Sequence, residues 1–86
     1  MENRRHPRNP IAVMMKVWHP QFGEKLVTTR DLSDGGLFIV CDPATMPAMG
    51  EILDGQVQSE HAELPIVKME IVRAEKDGLG LRFVGT

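Results

Sequence analysis

The amino-acid sequence predicts an all-β fold, a small six-stranded antiparallel β-barrel that follows a flexible N-terminal arm. Short apolar stretches rich in β-branched residues alternate with clusters of turn-forming residues, and little of the chain remains for helices. A chain of 86 residues is also too short for two independent cores. A closed barrel suits it because one curled sheet encloses one core and leaves no strand edge open to aggregation.

Two parts of the chain differ in composition. Residues 1–10 contain Pro7 and Pro10 and almost no apolar side chains, so we expect an arm without regular structure. Residues 11–86 contain the apolar stretches, and we expect them to form the barrel.

The first half of the barrel domain contains three predicted strands. Ile11 to His19 is apolar with β-branched members, and Pro20 ends it. Glu24 to Leu32 is the second predicted strand. Leu37 to Val40 is a short buried strand, and the segment before it, Asp31 to Gly36, is dense in turn formers.

The second half begins with a brief helical turn, which Asp42-Pro43 caps and Gly50 ends. Glu51 to Glu60 is a weak strand, and we expect Asp54-Gly55 to interrupt it.

The last two strands have the clearest period of two. Leu64 to Ala74 alternates apolar residues with Lys68 and Glu70. After a turn at residues 76–78, the final strand places Leu79, Leu81 and Phe83 on one face, and Gly80, Arg82 and Val84 on the other.

Several bulky side chains are assigned to the barrel interior or its rim. We expect Trp18 to be a core or rim aromatic residue. We expect four methionines to fill the core, Met14, Met15, Met46 and Met49.

Composition excludes several classes of protein. The apolar fraction of 42% and the charged fraction of 26% are typical of globular chains rather than disordered or collagenous ones. No apolar run approaches the roughly 20 residues of a membrane span. The basic N-terminus lacks the apolar region of a signal peptide, and Cys41 has no second cysteine with which to form a disulfide. We therefore expect a cytoplasmic protein.

Charge is distributed unevenly along the sequence. Residues 1–10 carry three arginines against one glutamate, a net charge of +2. The other residues carry seven Lys or Arg against eleven Asp or Glu, a net charge of −4. A basic arm on an acidic body favours a small phosphorylated ligand and disfavours a long nucleic acid.

The arm contains the first candidate binding motif, Arg4, Arg5 and Arg8. Each guanidinium can donate two parallel hydrogen bonds to a phosphate or to the O6/N7 edge of guanine, and its flat face can stack on a base. Taken alone, such a motif is more often a solvated basic tail.

The second candidate motif lies between two predicted strands. Asp31 and Ser33 are two residues apart, so on extended backbone their side chains would face the same way. A carboxylate and a hydroxyl can bind the donor edge of guanine, and Gly35 and Gly36 permit positive φ and close approach of a ligand. The alternative is a turn whose polar side chains bond their own backbone.

Together these motifs resemble the PilZ domain family. The resemblance consists of Arg-x-x-x-Arg at Arg4 and Arg8, then Asp-x-Ser-x-x-Gly at Asp31, Ser33 and Gly36. It continues through the two closing strands, residues 69–73 and 78–83, which include a Gly-x-x-Phe ending at Gly80 and Phe83.

The resemblance implies a six-stranded barrel that binds the bacterial second messenger cyclic di-GMP and is not an enzyme. Arg4 and Arg8 would contact phosphates and guanine and stack on bases, and Arg5 would assist them. Asp31 and Ser33 would hydrogen-bond a guanine, and Gly36 would keep the surface open. Arg73 is a weaker candidate for the same site, since it is equally well explained as a charged strand end.

We further expect the arm to fold over the ligand and change the surface shown to a protein partner. Because the sequence stops soon after the last strand, the output would reach that partner in trans. No cofactor and no metal site are expected, since the histidines are scattered and the cysteine is alone.

Two other functions remain open. A PilZ-like adaptor could bind protein while ignoring the nucleotide. A small barrel could instead bind single-stranded nucleic acid, although that needs aromatic platforms and a basic face, and this chain has three Phe, one Trp and no Tyr.

Overall fold

The computed structural model describes residues 13–85, which form a closed six-stranded antiparallel barrel as predicted. The strand order around the barrel is β1-β2-β3-β6-β5-β4. A single turn of 3-10 helix, Pro43–Thr45, lies between β3 and β4, and the side chain of Asp42 caps it. The strands are β1 (Val13–His19), β2 (Gly23–Arg30), β3 (Gly36–Val40), β4 (Ile52–Val57), β5 (Val67–Glu75) and β6 (Gly78–Phe83).

The predicted arm, residues 1–10, lies outside the described residues. The boundary between arm and barrel therefore stays a prediction, as do the positions of Arg4, Arg5 and Arg8.

The barrel interior is filled by alternate residues of every strand. Met15 and Val17 of β1 and Leu79 and Leu81 of β6 are buried, which confirms the predicted inner face of the last strand. Burial of each such side chain contributes roughly 1.5–3 kcal/mol to folding. The other members of the core are Val27, Leu37, Ile39, Met46, Leu53, Met69 and Ile71.

The expected interruption of β4 at Asp54-Gly55 does not occur. Gly55 pairs with Val17 on one side and Val67 on the other, so the strand runs on through it. A Cβ atom at Gly55 would lie 2.5 Å from Cε of Met69 and 3.0 Å from Sδ of Met15. The glycine makes room for two core methionines and does not end the strand.

The strand β5 begins later than the sequence predicts, at Val67 and not at Leu64. The side-chain amide of Gln56 donates to the carbonyl of Leu64 at 2.6 Å, which ties this segment to β4 by a side chain. Pro65 has no N–H to contribute to a ladder. Residues 58–66 form an irregular loop instead.

The prediction that four methionines fill the core is half right. Met15 and Met46 are buried, whereas Met14 and Met49 are exposed. Met14 points outward because it alternates with Met15 along β1. Trp18 is a rim residue whose Nε1 donates to Glu24 across the strand pair at 3.0 Å.

A β-bulge in β5 determines which side of the sheet Arg73 occupies. Ile71 pairs with Leu81 and Arg73 pairs with Gly80, so Val72 is an extra residue with no partner of its own. Strict alternation from the buried Ile71 would point Arg73 into the core. The bulge shifts the alternation by one residue and places Arg73 on the outer face, opposite Gly80.

Candidate functional site

A depression of about 200 Å³ lies on the outer surface of the barrel, where β3, β5 and β6 meet the loop that follows β2. Every candidate residue that the structure describes lines it: Asp31, Ser33, Gly35, Gly36 and Arg73. Arg4, Arg5 and Arg8 lie outside the described residues. The two halves of the depression come from segments about forty residues apart in sequence, since β6 pairs with β3 on one side and with β5 on the other.

The loop after β2 has a different conformation from the extended one that we expected. Asp31 has a φ of 56°, the left-handed region, which an aspartate tolerates better than most residues. Asp31 and Ser33 therefore do not share a face by strand alternation. Both the backbone N–H and the hydroxyl of Ser33 are directed at the carbonyl of Gly36, at 2.9 and 3.3 Å. Ser33 thus bonds its own loop, as the alternative interpretation of the motif proposed, whereas the carboxylate of Asp31 lies 3.8 Å from Nε of Arg30.

The glycines of the loop are not there for positive φ, because neither Gly35 nor Gly36 adopts it. Gly36 instead packs against the neighbouring strand, where a Cβ atom would lie 2.0 Å from the carbonyl oxygen of Leu81. Gly35 has open space around its Cα, and its carbonyl accepts the N–H of Phe83 at 2.9 Å. Gly36 is thus required by packing, whereas Gly35 leaves the surface of the depression free of a side chain.

The guanidinium of Arg73 lies across Gly80. A Cβ atom at Gly80 would be 3.1 Å from both Cζ and Nη2 of Arg73, so this glycine leaves the space that the guanidinium occupies. Nε of Arg73 donates to Glu75 at 2.7 Å. The backbone below and the carboxylate beside it hold the guanidinium at the edge of the depression, with its terminal nitrogens unpaired among residues 13–85.

Arg82 is a second cation of the depression, and sequence reasoning did not assign it to the site. It pairs across the sheet with Gly36 on one side and Glu70 on the other, and its guanidinium forms an ion pair with Glu70. The alternation of the last strand already put Gly80 and Arg82 on one outer face. That pattern could have identified both residues once β6 was known to lie beside β3.

The depression therefore combines two arginines with one carboxylate and one hydroxyl. Such a set can bind an anion through Arg73 and Arg82 and can accept hydrogen bonds from a base edge through Asp31 and Ser33. No histidine of residues 13–85 lines the depression.

Cys41 is the one described residue whose pKa is clearly perturbed. Burial raises the pKa of its thiol, and this effect exceeds the opposing influence of Lys25. The thiol is consequently protonated at neutral pH and is a weak nucleophile. It does not line the depression.

Within residues 13–85, no cluster of three His, Cys, Asp or Glu side chains is arranged to hold a metal ion. The same part of the chain contains no helix of the length and apolarity needed to span a membrane.

No curated protein matches this chain. The sequence does match the family description "PilZ domain", over residues 2–86. PilZ domains bind cyclic di-GMP or act as adaptors, and they are not enzymes. Since the match spans essentially the whole sequence and the six strands close into the barrel that the resemblance implied, the chain belongs to the PilZ domain family.

Proposed function

We propose that this protein is a receptor for cyclic di-GMP that signals to a protein partner. The observation that carries the proposal is that Arg73 lines the same depression as Asp31 and Ser33, although it comes from a distant part of the chain. This depression offers both kinds of group that the ligand needs: acceptors for guanine and cations for phosphate.

The guanine edge that presents N1–H and the exocyclic amine would meet Asp31 and Ser33. The Asp31 carboxylate is well exposed and can accept two hydrogen bonds side by side. The Ser33 hydroxyl donates to Gly36, so its lone pairs remain available to accept.

The two phosphates of the ligand would meet the guanidiniums. Arg73 has its Nε on Glu75, which leaves the terminal nitrogens to donate to a phosphate or the face of the guanidinium to stack on a base. In our proposal Arg4, Arg5 and Arg8 supply further cations from the arm. This would offset the acidic character of the body, which carries a net charge of −4 over residues 11–86.

Isothermal titration calorimetry with cyclic di-GMP, GMP and a single-stranded oligonucleotide tests the proposal. We expect micromolar or tighter binding of the cyclic dinucleotide alone. A folded protein that gives no heat with cyclic di-GMP would favour the nucleotide-independent adaptor, and binding of the oligonucleotide would favour the nucleic-acid function.

Matched variants locate the site. Asp31→Gly removes the carboxylate and keeps the backbone conformation, because glycine adopts positive φ without strain. We expect a loss on the order of 1.5–3 kcal/mol, the scale of hydrogen bonds to a charged group. Asp34→Ala is the control, since Asp34 is an acidic residue of the same loop that does not line the depression. Equal losses in the two variants would contradict the proposed site.

The role of the arm has its own test. Arg4→Ala and Arg8→Ala should each cost on the order of 1.5–3 kcal/mol of binding free energy. Saturating ligand should slow hydrogen exchange in residues 1–10 if the arm closes over it. Unchanged exchange would contradict the closing arm while leaving the barrel site standing.

A further inference from the structure

Arg30 contacts the candidate site through Asp31. It belongs to neither sequence motif and does not line the depression. We propose that Arg30 is a positioning residue: braced on Phe38 and Asp77, it holds the Asp31 carboxylate in place for the guanine. This inference rests on the proposed function and adds to it a residue outside the binding motifs.

The brace consists of contacts with two parts of the barrel, β3 and the turn between β5 and β6. Arg30 is the last residue of β2 and pairs with Phe38 of β3. Its guanidinium lies over the Phe38 ring, with Cζ 4.4 Å from the ring centroid. Nη2 donates to the Asp77 carboxylate at 3.1 Å, in the turn between β5 and β6. A stacked face and a directed hydrogen bond together fix both the plane and the direction of the guanidinium.

The anchor at Asp77 is itself fixed. Its backbone carbonyl accepts the N–H of Cys41 at 3.1 Å, which joins the turn to the end of β3. Below the turn, Gly78 leaves no room for a side chain, because a Cβ atom there would lie 2.6 Å from the Phe38 ring. The ring under Arg30 and the turn beside it are thus packed against each other.

The left-handed conformation of Asp31 brings its carboxylate to this brace. Successive residues of a strand point to opposite faces, so an extended Asp31 would point away from Arg30. With a φ of 56°, the carboxylate instead turns back, and Oδ2 lies 3.8 Å from Nε of Arg30. The guanidinium contacts one carboxylate oxygen loosely, at 3.8 Å, so both oxygens keep lone pairs that can accept from a ligand.

The contact between Arg30 and Asp31 is expected to orient the carboxylate more than to stabilise the fold. An ion pair between half-exposed groups contributes about 1 kcal/mol or less to folding. A carboxylate that is already oriented loses less conformational freedom when a ligand binds. We therefore expect Arg30 to affect affinity while leaving the melting temperature nearly unchanged.

Hydrogen exchange without ligand tests the brace. In Arg30→Gln and in Asp77→Asn, the Ser33 amide should exchange at least about threefold faster, because its bond to Gly36 closes the loop that Asp31 begins. Lys68→Gln is the matched control, since it breaks a surface ion pair of 2.8 Å with Asp54 away from the depression. Unchanged exchange in both brace variants would overturn the inference, whatever the ligand proves to be.

Calorimetry with cyclic di-GMP supplies the second test. Arg30→Gln should raise Kd about fivefold, a scale set by the strength of a partly exposed ion pair. Arg30→Lys should recover part of the loss, because it keeps the charge but not the planar stack. In the Asp31→Gly background, Arg30→Gln should have no further effect. An equal effect in both backgrounds would show that Arg30 acts elsewhere and would overturn the inference.

The two proposals fail in different ways. Wild-type protein that gives no heat with cyclic di-GMP contradicts the proposed function, and the exchange of the Ser33 amide still decides whether the brace exists. Wild-type protein that binds, with Arg30→Gln binding equally well, contradicts the brace alone.

Discussion

Two depressions on the surface of this barrel differ in size, origin and charge. The candidate site has a volume of about 200 Å³, and its lining comes from the loop after β2 and from β3, β5 and β6. The other depression, about 420 Å³, is lined entirely by the contiguous segment 56–64. The fold brings residues from distant parts of the chain together in the smaller depression, whereas the larger one is formed by a single segment of the chain.

The charges of the two depressions differ as well. Glu60 and Glu63 line the larger one, with His61 between them, so it repels an anion at neutral pH. Arg73 and Arg82 line the smaller one. In a barrel this small, the volume of a depression is therefore a poor guide to a binding site, and the convergence of residues from distant parts of the chain is a better one.

The largest expected effect concerns Gly36, which lines the candidate site and packs against the backbone of Leu81. Gly36→Ala should lower the free energy of unfolding by about 3 kcal/mol, because the added methyl group meets a backbone carbonyl that cannot move aside. Gly35→Ala is the neighbouring control and should change it by less than about 0.5 kcal/mol, since nothing lies near its Cα. Denaturant unfolding measures both. Similar free energies of unfolding for the two variants would mean that Gly36 is not tightly packed against β6.

The next effect tests the difference in charge. Arg73→Gln should raise the Kd for cyclic di-GMP about tenfold, the scale of one hydrogen bond from a charged group. Glu63→Gln in the larger depression should leave Kd unchanged. Calorimetry on both variants shows which depression binds the ligand. A change of Kd in Glu63→Gln alone would assign binding to the larger depression.

A smaller effect is expected from the glycine that lies under Arg73. Gly80→Ala should raise Kd about threefold, because the methyl group displaces a guanidinium lying 3.1 Å away. The free energy of unfolding should change little, since the displaced atoms belong to the end of a flexible side chain. A large loss of stability with normal binding would assign Gly80 to packing alone.

The smallest effect belongs to the larger depression. The hydroxyl of Ser59 accepts the N–H of His61 at 3.1 Å, on the surface of the loop. Ser59→Ala should lower the free energy of unfolding by less than about 0.5 kcal/mol and leave ligand binding unchanged. A measurable loss of binding would show that this loop takes part in recognition.

Most of the fold could be predicted from the sequence because it depends on local patterns. The alternation in β5 and β6 and the turn formers between strands identified the strands and the barrel. The predictions that were wrong, the interruption of β4 and the start of β5, depend on tertiary contacts. Gly55 resembles a strand breaker until one sees Met15 and Met69 beside it, and Leu64 resembles a strand residue until Gln56 is seen to hold its carbonyl.

The candidate site was predictable only in part, for the same reason. Asp31, Ser33 and Gly36 lie in one short segment and form a recognisable motif. The left-handed φ of Asp31 and the contact with Arg30 cannot be inferred from strand periodicity.

The bulge at Val72 makes the pairing of β5 as important as its residue types. Keeping Val72 in a regular ladder would pair Arg73 with Leu79 and turn it toward the interior, whereas deleting Val72 would remove the bulge and leave Arg73 opposite Gly80 on the outer face. Within this family, a chain could therefore lose this arginine from the surface by losing the bulge at unchanged length, or keep it there with one residue fewer, with every motif letter still in place. Comparisons of relatives should follow the strand pairing of β5 as carefully as they match the motifs themselves.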